Sequence, residues 1–192
     1  MEERRIFVAI DISEQVRAVC DGHIDYLRNK FPDARVSWET TEKLHITMKF
    51  LGNTSSDVFD ALQSSVAEIA AKHRAFRLRL SRTGLFPRES RPRVLWIGLD
   101  DRPQAVTPLY SELDSVCEGL GYPKEPRAFR PHITIGRVRD PDEASELAAI
   151  HLKTKIEPVE FEVNEIVICE STLQTTGSVY SVISTARLGP SI

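Results

Sequence analysis

The sequence predicts mixed α and β structure folded as two lobes related by a pseudo-twofold axis. Three observations carry that expectation. The tripeptide His-Ile-Thr occurs twice, at 45–47 and 132–134, each time in a run of strand character. Two further runs, RIFVAID (5–11) and VLWIGLD (94–100), share a pattern of branched and aromatic residues closed by aspartate, as buried strands do. Finally, the segments between these landmarks follow the same order in both halves.

Taken in order, RIFVAID is a strand, and the helix after it spans about 13–30, with Val16, Val19, Ile24 and Leu27 at helical spacing and Ser13 placed to cap it. Phe31-Pro32 breaks the chain before the strand that carries the first triplet. A helix over about 56–72 (Val58, Leu62, Val66, Ile69) and an alternating strand, FRLRL (76–80), complete the unit. Gly84, Pro87, Ser90 and Pro92 then form a turn-rich join. The second unit runs from VLWIGLD through a helix at about 104–120 (Val106, Leu109, Leu113, Val116, Leu120), a Tyr122-Pro123 break and the second triplet. It ends in a helix at about 141–151 (Ala144, Leu147, Ile150) and an alternating strand, VEFEVNEIVI (159–168). Residues 1–88 and 92–170 are thus two copies of a β-α-β-α-β unit within one bilobal domain, and 171–192 supply a closing strand near 179–187 and a tail.

Composition narrows the class of function. The 192 residues, 41% hydrophobic and 28% charged, are ample for a core, and no apolar run is long enough to cross a bilayer. The start, Met-Glu-Glu-Arg-Arg, is too acidic and its apolar stretch too short for a signal peptide, so a cytoplasmic monomer is expected. Cys20, Cys117 and Cys169 have no pairing or zinc-knuckle spacing and are expected to be buried thiols. A net charge of −3 argues against coating long nucleic acid. Basic residues nevertheless cluster, Arg82, Arg88, Arg91 and Arg93 in one stretch and Lys124, Arg127, Arg130, Arg137 and Arg139 around the second triplet, which favours an anionic ligand of limited size.

In a strand, residues i and i+2 share a face, so His45 aligns with Thr47 and His132 with Thr134. If the two strands face each other across a cleft, two imidazoles and two hydroxyls surround one space, a set suited to an anion with opposed oxygens. One His on a strand is ordinarily a satisfied, half-buried residue; two at matching places in a repeat are not so readily explained. His23, His73 and His151 take the structural reading, a cation near a helix C-terminus being favourable in its own right. No metal-ligand spacing accompanies either triplet, no Gly-x-Ser-x-Gly or Gly-x-x-x-x-Gly-Lys occurs, and no cysteine lies near a triplet. General acid and base catalysis by two imidazoles is what remains.

The paired HITM and HITI, with RIFVAID, LHITMKFLG, VLWIGL and FRPHITIGR in this order, resemble the RNA 2′,3′-cyclic phosphodiesterase family, also called 2′-5′ RNA ligase-like, of the 2H phosphoesterase superfamily. The resemblance covers nearly the whole chain and implies a bilobal α+β fold, each lobe an antiparallel sheet packed by helices, with the active-site cleft between them. It implies metal-independent, cofactor-free opening of an RNA terminal 2′,3′-cyclic phosphate to a 2′-phosphate, and in some members 2′-5′ joining of RNA. Substrates would be RNA 3′ ends or small cyclic nucleotides, with no membrane partner. His45 would be the proton donor and His132 the proton acceptor, an order the sequence leaves open. Thr47 and Thr134 would bind the nonbridging phosphate oxygens. The family also places an aromatic and an arginine five residues after the respective histidines, here Phe50 and Arg137, near the nucleotide and the phosphate. Strand parity opposes this, because it puts Lys49 on the face of His45 and Thr47 and turns Phe50 and Arg137 away. Two other functions fit the same residues: a non-catalytic module binding nucleotides or RNA ends, and a phosphoesterase acting on another cyclic phosphate or oligonucleotide.

Overall fold

In the computed structural model, which describes residues 3–100, 105–175 and 177–190, β1 (Arg4–Ile10) leads to Ser13, whose hydroxyl accepts the Val16 N–H at 3.3 Å and starts α1 (Glu14–Lys30). There follow β2 (Val36–Trp38), a 3-10 turn (Thr41–Lys43), β3 (Ile46–Thr54), α2 (Ser56–Lys72), β4 (Phe76–Arg88) and β5 (Arg91–Asp100). The remainder is α3 (Val106–Gly119), β6 (His132–Val138), α4 (Ser145–Lys153), β7 (Glu160–Val163), β8 (Glu165–Gln174) and β9 (Gly177–Arg187). The expected start of the third helix, residue 104, lies outside the described residues. No helix among the described residues is long and apolar enough to cross a membrane.

Three local expectations are corrected. The join at Gly84–Pro92 is no loop, because β4 and β5 continue as one long hairpin, paired from Arg79 and Asp100 out to Arg88 and Arg91. VEFEVNEIVI is two strands, interrupted at Asn164, whose carbonyl instead accepts the Leu188 N–H at 2.8 Å. The last helix starts later than 141, at Ser145.

The larger correction concerns the sheets. Instead of one sheet per lobe there is one antiparallel sheet, in the order β7-β4-β5-β6-β3-β1-β8-β9, with β2 beside β6. Its two halves meet where Ile46 of β3 pairs with Ile133 of β6. The halves are not the sequence repeats. β4, the last strand of the first repeat, pairs with β5 of the second, while β8 returns to pair with β1. Helices cross over too: α2 and α3 cover the β3-β1-β8-β9 half, and α1 and α4 the β6-β5-β4-β7 half.

All four helices pack on one face of the sheet, where Ile6, Val8, Ile10, Ile46, Leu78, Leu80, Leu95, Ile97 and Ile133 join the helical stripes in a continuous core. Cys20, Cys117 and Cys169 are buried free thiols, and burial pushes them up to about 12, 11 and 11. Of the histidines outside the triplets, His73 at the end of α2 lies 3.1 Å from Glu112, in line with the helix-end reading. His151 departs from it. It is fully buried, its Nε2–H donates to the Gly84 carbonyl at 2.9 Å, and its Nδ1 accepts from His23 Nε2 at 2.9 Å. The His151 ring is therefore neutral. Burial, then His151, brings His23 down from 6.5 to about 4.

Because the folded state disfavours the His23 proton, the unfolded chain binds more protons between pH 6.5 and 4. Stability is then full above about 6.5 and falls as the pH drops toward 4, by on the order of 2 to 3 kcal/mol from this residue. Urea unfolding at pH 7 and pH 4.5 should show that loss. His23→Gln should flatten it; an unchanged slope would mean the pair is solvated.

Candidate active site

Each triplet presents its histidine through the same local device. His45 Nδ1–H donates to the Lys43 carbonyl at 2.6 Å, and His132 Nδ1–H to the Arg130 carbonyl at 2.7 Å, in both cases two residues back. These bonds set the neutral tautomer and leave each Nε2 as the free basic nitrogen. In the first copy Nε2 accepts the Thr47 hydroxyl at 2.9 Å. Arg17 of α1 fixes the approach to His45 by donating to the carbonyls of Thr41 and Leu44 at 2.7 and 3.0 Å while pairing with Asp11.

The pairing of Ile46 with Ile133 brings the two triplets together. Both isoleucines point into the core, so their flanking residues point to the open face. His45 and Thr47 flank that pair on one side of the seam, and His132 and Thr134 on the other. The four side chains of the triplets thus gather on the open face at the seam of the two halves.

Parity beyond the triplets is corrected in both copies by the same irregularity. Ala9 pairs with Thr47 but Val8 with Lys49, so Met48 is an extra residue, a β-bulge. Trp96 likewise pairs with Thr134 but Leu95 with Gly136, so Ile135 is the extra residue. Two consecutive residues therefore face the helices in each copy, Met48-Lys49 and Ile135-Gly136, all four buried. Phe50 and Arg137 return to the open face with the histidines. Phe50 is 53% exposed, with the Arg5 guanidinium 5.5 Å from its ring centroid. Arg137 is exposed, its Nε 3.5 Å from Glu39. Lys49, expected beside His45, is instead buried on the helix side, bonded to Asp114 of α3 at 2.5 Å and to the Pro123 carbonyl at 2.7 Å.

Aromatic residues that the sequence reading passed over wall both imidazoles. Phe7 lies 4.9 Å and Tyr180 5.5 Å from the His45 ring; Phe86 lies 5.2 Å and Trp96 5.9 Å from that of His132. Phe7 and Trp96 occupy the same place in RIFVAID and VLWIGLD, so aligning the two runs was enough to find them. Tyr180, on β9, had no local signal.

Both imidazoles are held below the usual histidine range. For His45 the main cause is burial; the Lys43 carbonyl and then Asp11 oppose it, and Arg17 and Arg137 add to it. For His132 burial again dominates, the Arg130 carbonyl opposes it, and Arg137 adds to it. Arg137 therefore acts on both rings, whereas a carboxylate, Asp11, acts on His45. Among the described residues no three His, Cys, Asp or Glu side chains converge as a metal site would require.

The chain is similar to known proteins over nearly its whole length. An RNA 2′,3′-cyclic phosphodiesterase of Aquifex aeolicus is 32% identical over 192 residues, covering 98% of this chain and 100% of that protein. The crystal structure of TT0787 of Thermus thermophilus superposes with a TM-score of 0.78 at 26% identity, covering 96% of this chain and 97% of that one. Escherichia coli LigT complexed with 3′-AMP gives 0.75 at 27%, covering 97% and 99%. LigT has also been crystallised with phosphate, NADP+ and ATP. The sequence profile described as the 2′-5′ RNA ligase superfamily matches residues 15–174, both triplets included, and the chain belongs to that superfamily.

Proposed function

We propose that this protein opens the 2′,3′-cyclic phosphate at an RNA 3′ end and leaves a 2′-phosphate, using His45 and His132 as acid and base and no metal. The observation that carries the proposal is the pair of imidazoles with Nδ1 tied to a carbonyl two residues back, each offering Nε2 to the same open face beside a threonine hydroxyl.

Water attacks phosphorus as its proton passes to His132 Nε2, and the bond from phosphorus to the 3′ oxygen breaks as protonated His45 delivers its proton to that oxygen. One ring ends charged and the other neutral, and exchange with solvent resets them. The assignment of His45 as acid is supported by Asp11, which favours its charged form, while His132 has no carboxylate acting on it. Thr47 and Thr134 donate to the nonbridging oxygens, and Arg137 adds a cation as the phosphorus becomes five-coordinate. Phe50, exposed on the same face, offers a ring to the nucleotide.

A short RNA with a 2′,3′-cyclic end, incubated with the protein in chelator, should yield only the 2′-phosphate, identified by its chromatographic separation from the 3′ isomer. A protein that binds the RNA without turning it over is a binding module. Turnover that disappears in chelator and returns with a divalent ion belongs to a metal enzyme.

A further inference from the structure

Several basic groups of the two clusters are already engaged. Lys124 lies 3.0 Å from Glu118, Arg91 lies 3.9 Å from Asp142, and Arg139 donates to the Ser37 hydroxyl at 2.8 Å. Arg82 is exposed, and among the described residues no ion pair or side-chain hydrogen bond engages it.

Its place in the sheet is specific. Arg82 of β4 pairs with Gly98 of β5, which pairs with His132 of β6, so the three lie side by side in one row. Cross-strand neighbours share a face, which puts the arginine on the face of the imidazole. Between them Gly98 contributes no side chain, and a Cβ there would come within 2.8 Å of the Trp96 ring. Arg82 and His132 are thus two strand spacings apart, about 10 Å, with the Trp96 ring lying over the glycine between them. Arg137 shifts both imidazoles, whereas Arg82 is not among the charges acting on His132. Arg137 is the cation of the reacting phosphate; Arg82 stands too far out for that phosphate.

We infer that Arg82 binds a second phosphate, the phosphodiester on the 5′ side of the terminal nucleotide, and thereby favours a cyclic-ended oligonucleotide over a cyclic mononucleotide. This rests on the activity proposed above. The sugar of the terminal nucleotide would pass over the Trp96 ring, which lies on Gly98 between the arginine and the imidazole. A lone guanidinium on a phosphate is a charge-assisted contact that suits any base sequence.

The test compares kcat/KM for 2′,3′-cyclic AMP, which lacks that phosphodiester, with kcat/KM for a dinucleotide ending in a 2′,3′-cyclic phosphate. The wild type should favour the dinucleotide. Arg82→Gln should lower the dinucleotide-to-mononucleotide ratio about 10-fold or more. It should also reduce the slope of log kcat/KM against log salt on the dinucleotide by about 0.7, the value for one single-strand phosphate contact. A ratio unchanged by Arg82→Gln, with wild type active on both substrates, overturns the second phosphate site while leaving the proposed activity standing. Wild type inactive on both overturns the activity, and the inference with it.

Discussion

His132→Ala and His45→Ala should each lower turnover of a cyclic-ended RNA by about 100- to 10,000-fold, the usual cost of losing a general acid or base. The folds should survive, because both rings are only half-buried and lie on the open face, away from the main core. The double variant should cost much less than the product of the two, since both rings act on one transition state. Thr47→Val and Thr134→Val keep shape and remove a hydroxyl, and about 100-fold is expected of each, mostly in kcat. With both imidazoles held low in the free protein, the kcat/KM profile should be bell-shaped: it falls at low pH as the base is protonated and at high pH as the acid loses its proton. Asp11→Asn removes the anion favouring charged His45 and should move the alkaline limb to lower pH. A folded His132→Ala protein with full activity would end the mechanism, and an alkaline limb indifferent to Asp11 would reverse the assignment of acid and base.

The largest stability effect is expected at Lys49 and Asp114. Each is less than 10% exposed, and they bond at 2.5 Å, with Asp114 also accepting the Glu125 N–H at 3.3 Å and Lys49 donating to the Pro123 carbonyl. The pair joins β3 to α3 and to the loop that leads into the second triplet. Lys49→Met strands a buried carboxylate and should cost about 3–5 kcal/mol, a large part of the roughly 5–15 kcal/mol that holds a domain together. Removing both charges, as Lys49→Met with Asp114→Leu, should recover most of that loss, because an apolar pair needs no desolvation. Urea midpoints of the two single variants and the double variant decide the matter. A single variant losing under about 1 kcal/mol would mean that water reaches the pair.

Local patterns were legible because they depend on neighbours in sequence. The helix at 56–72 has those bounds in the structure, and Ser13 caps the first helix as its residue type suggests. The triplets lie together because a repeated His-x-Thr on strands leaves few other arrangements. What escaped the sequence depends on partners far away. Met48 and Ile135 are bulges only because Val8–Ala9 and Leu95–Trp96 pair past them without an insertion of their own. Strict alternation therefore misplaced Lys49, Phe50 and Arg137. Nothing in FRLRL announces that it continues to Arg88 or that it joins the other half of the sheet. The row of Arg82, Gly98 and His132 exists only once three separate strands are in register.

The exchange of strands between the repeats also sets an order of assembly. A ribosome adds about 5–20 residues per second, and local structure forms in microseconds, so an emerging chain waits for its partners rather than for its own helices. The hairpin of β4 and β5 can close soon after it appears. β1 has no such neighbour on its outer side until Ile168 arrives to meet Val8, and Tyr180, which walls the His45 ring, comes later still. The half of the sheet that carries His45 is translated first and completed last, and an interrupted chain ending before β8 would hold the first triplet on a sheet with its outer edge unpaired.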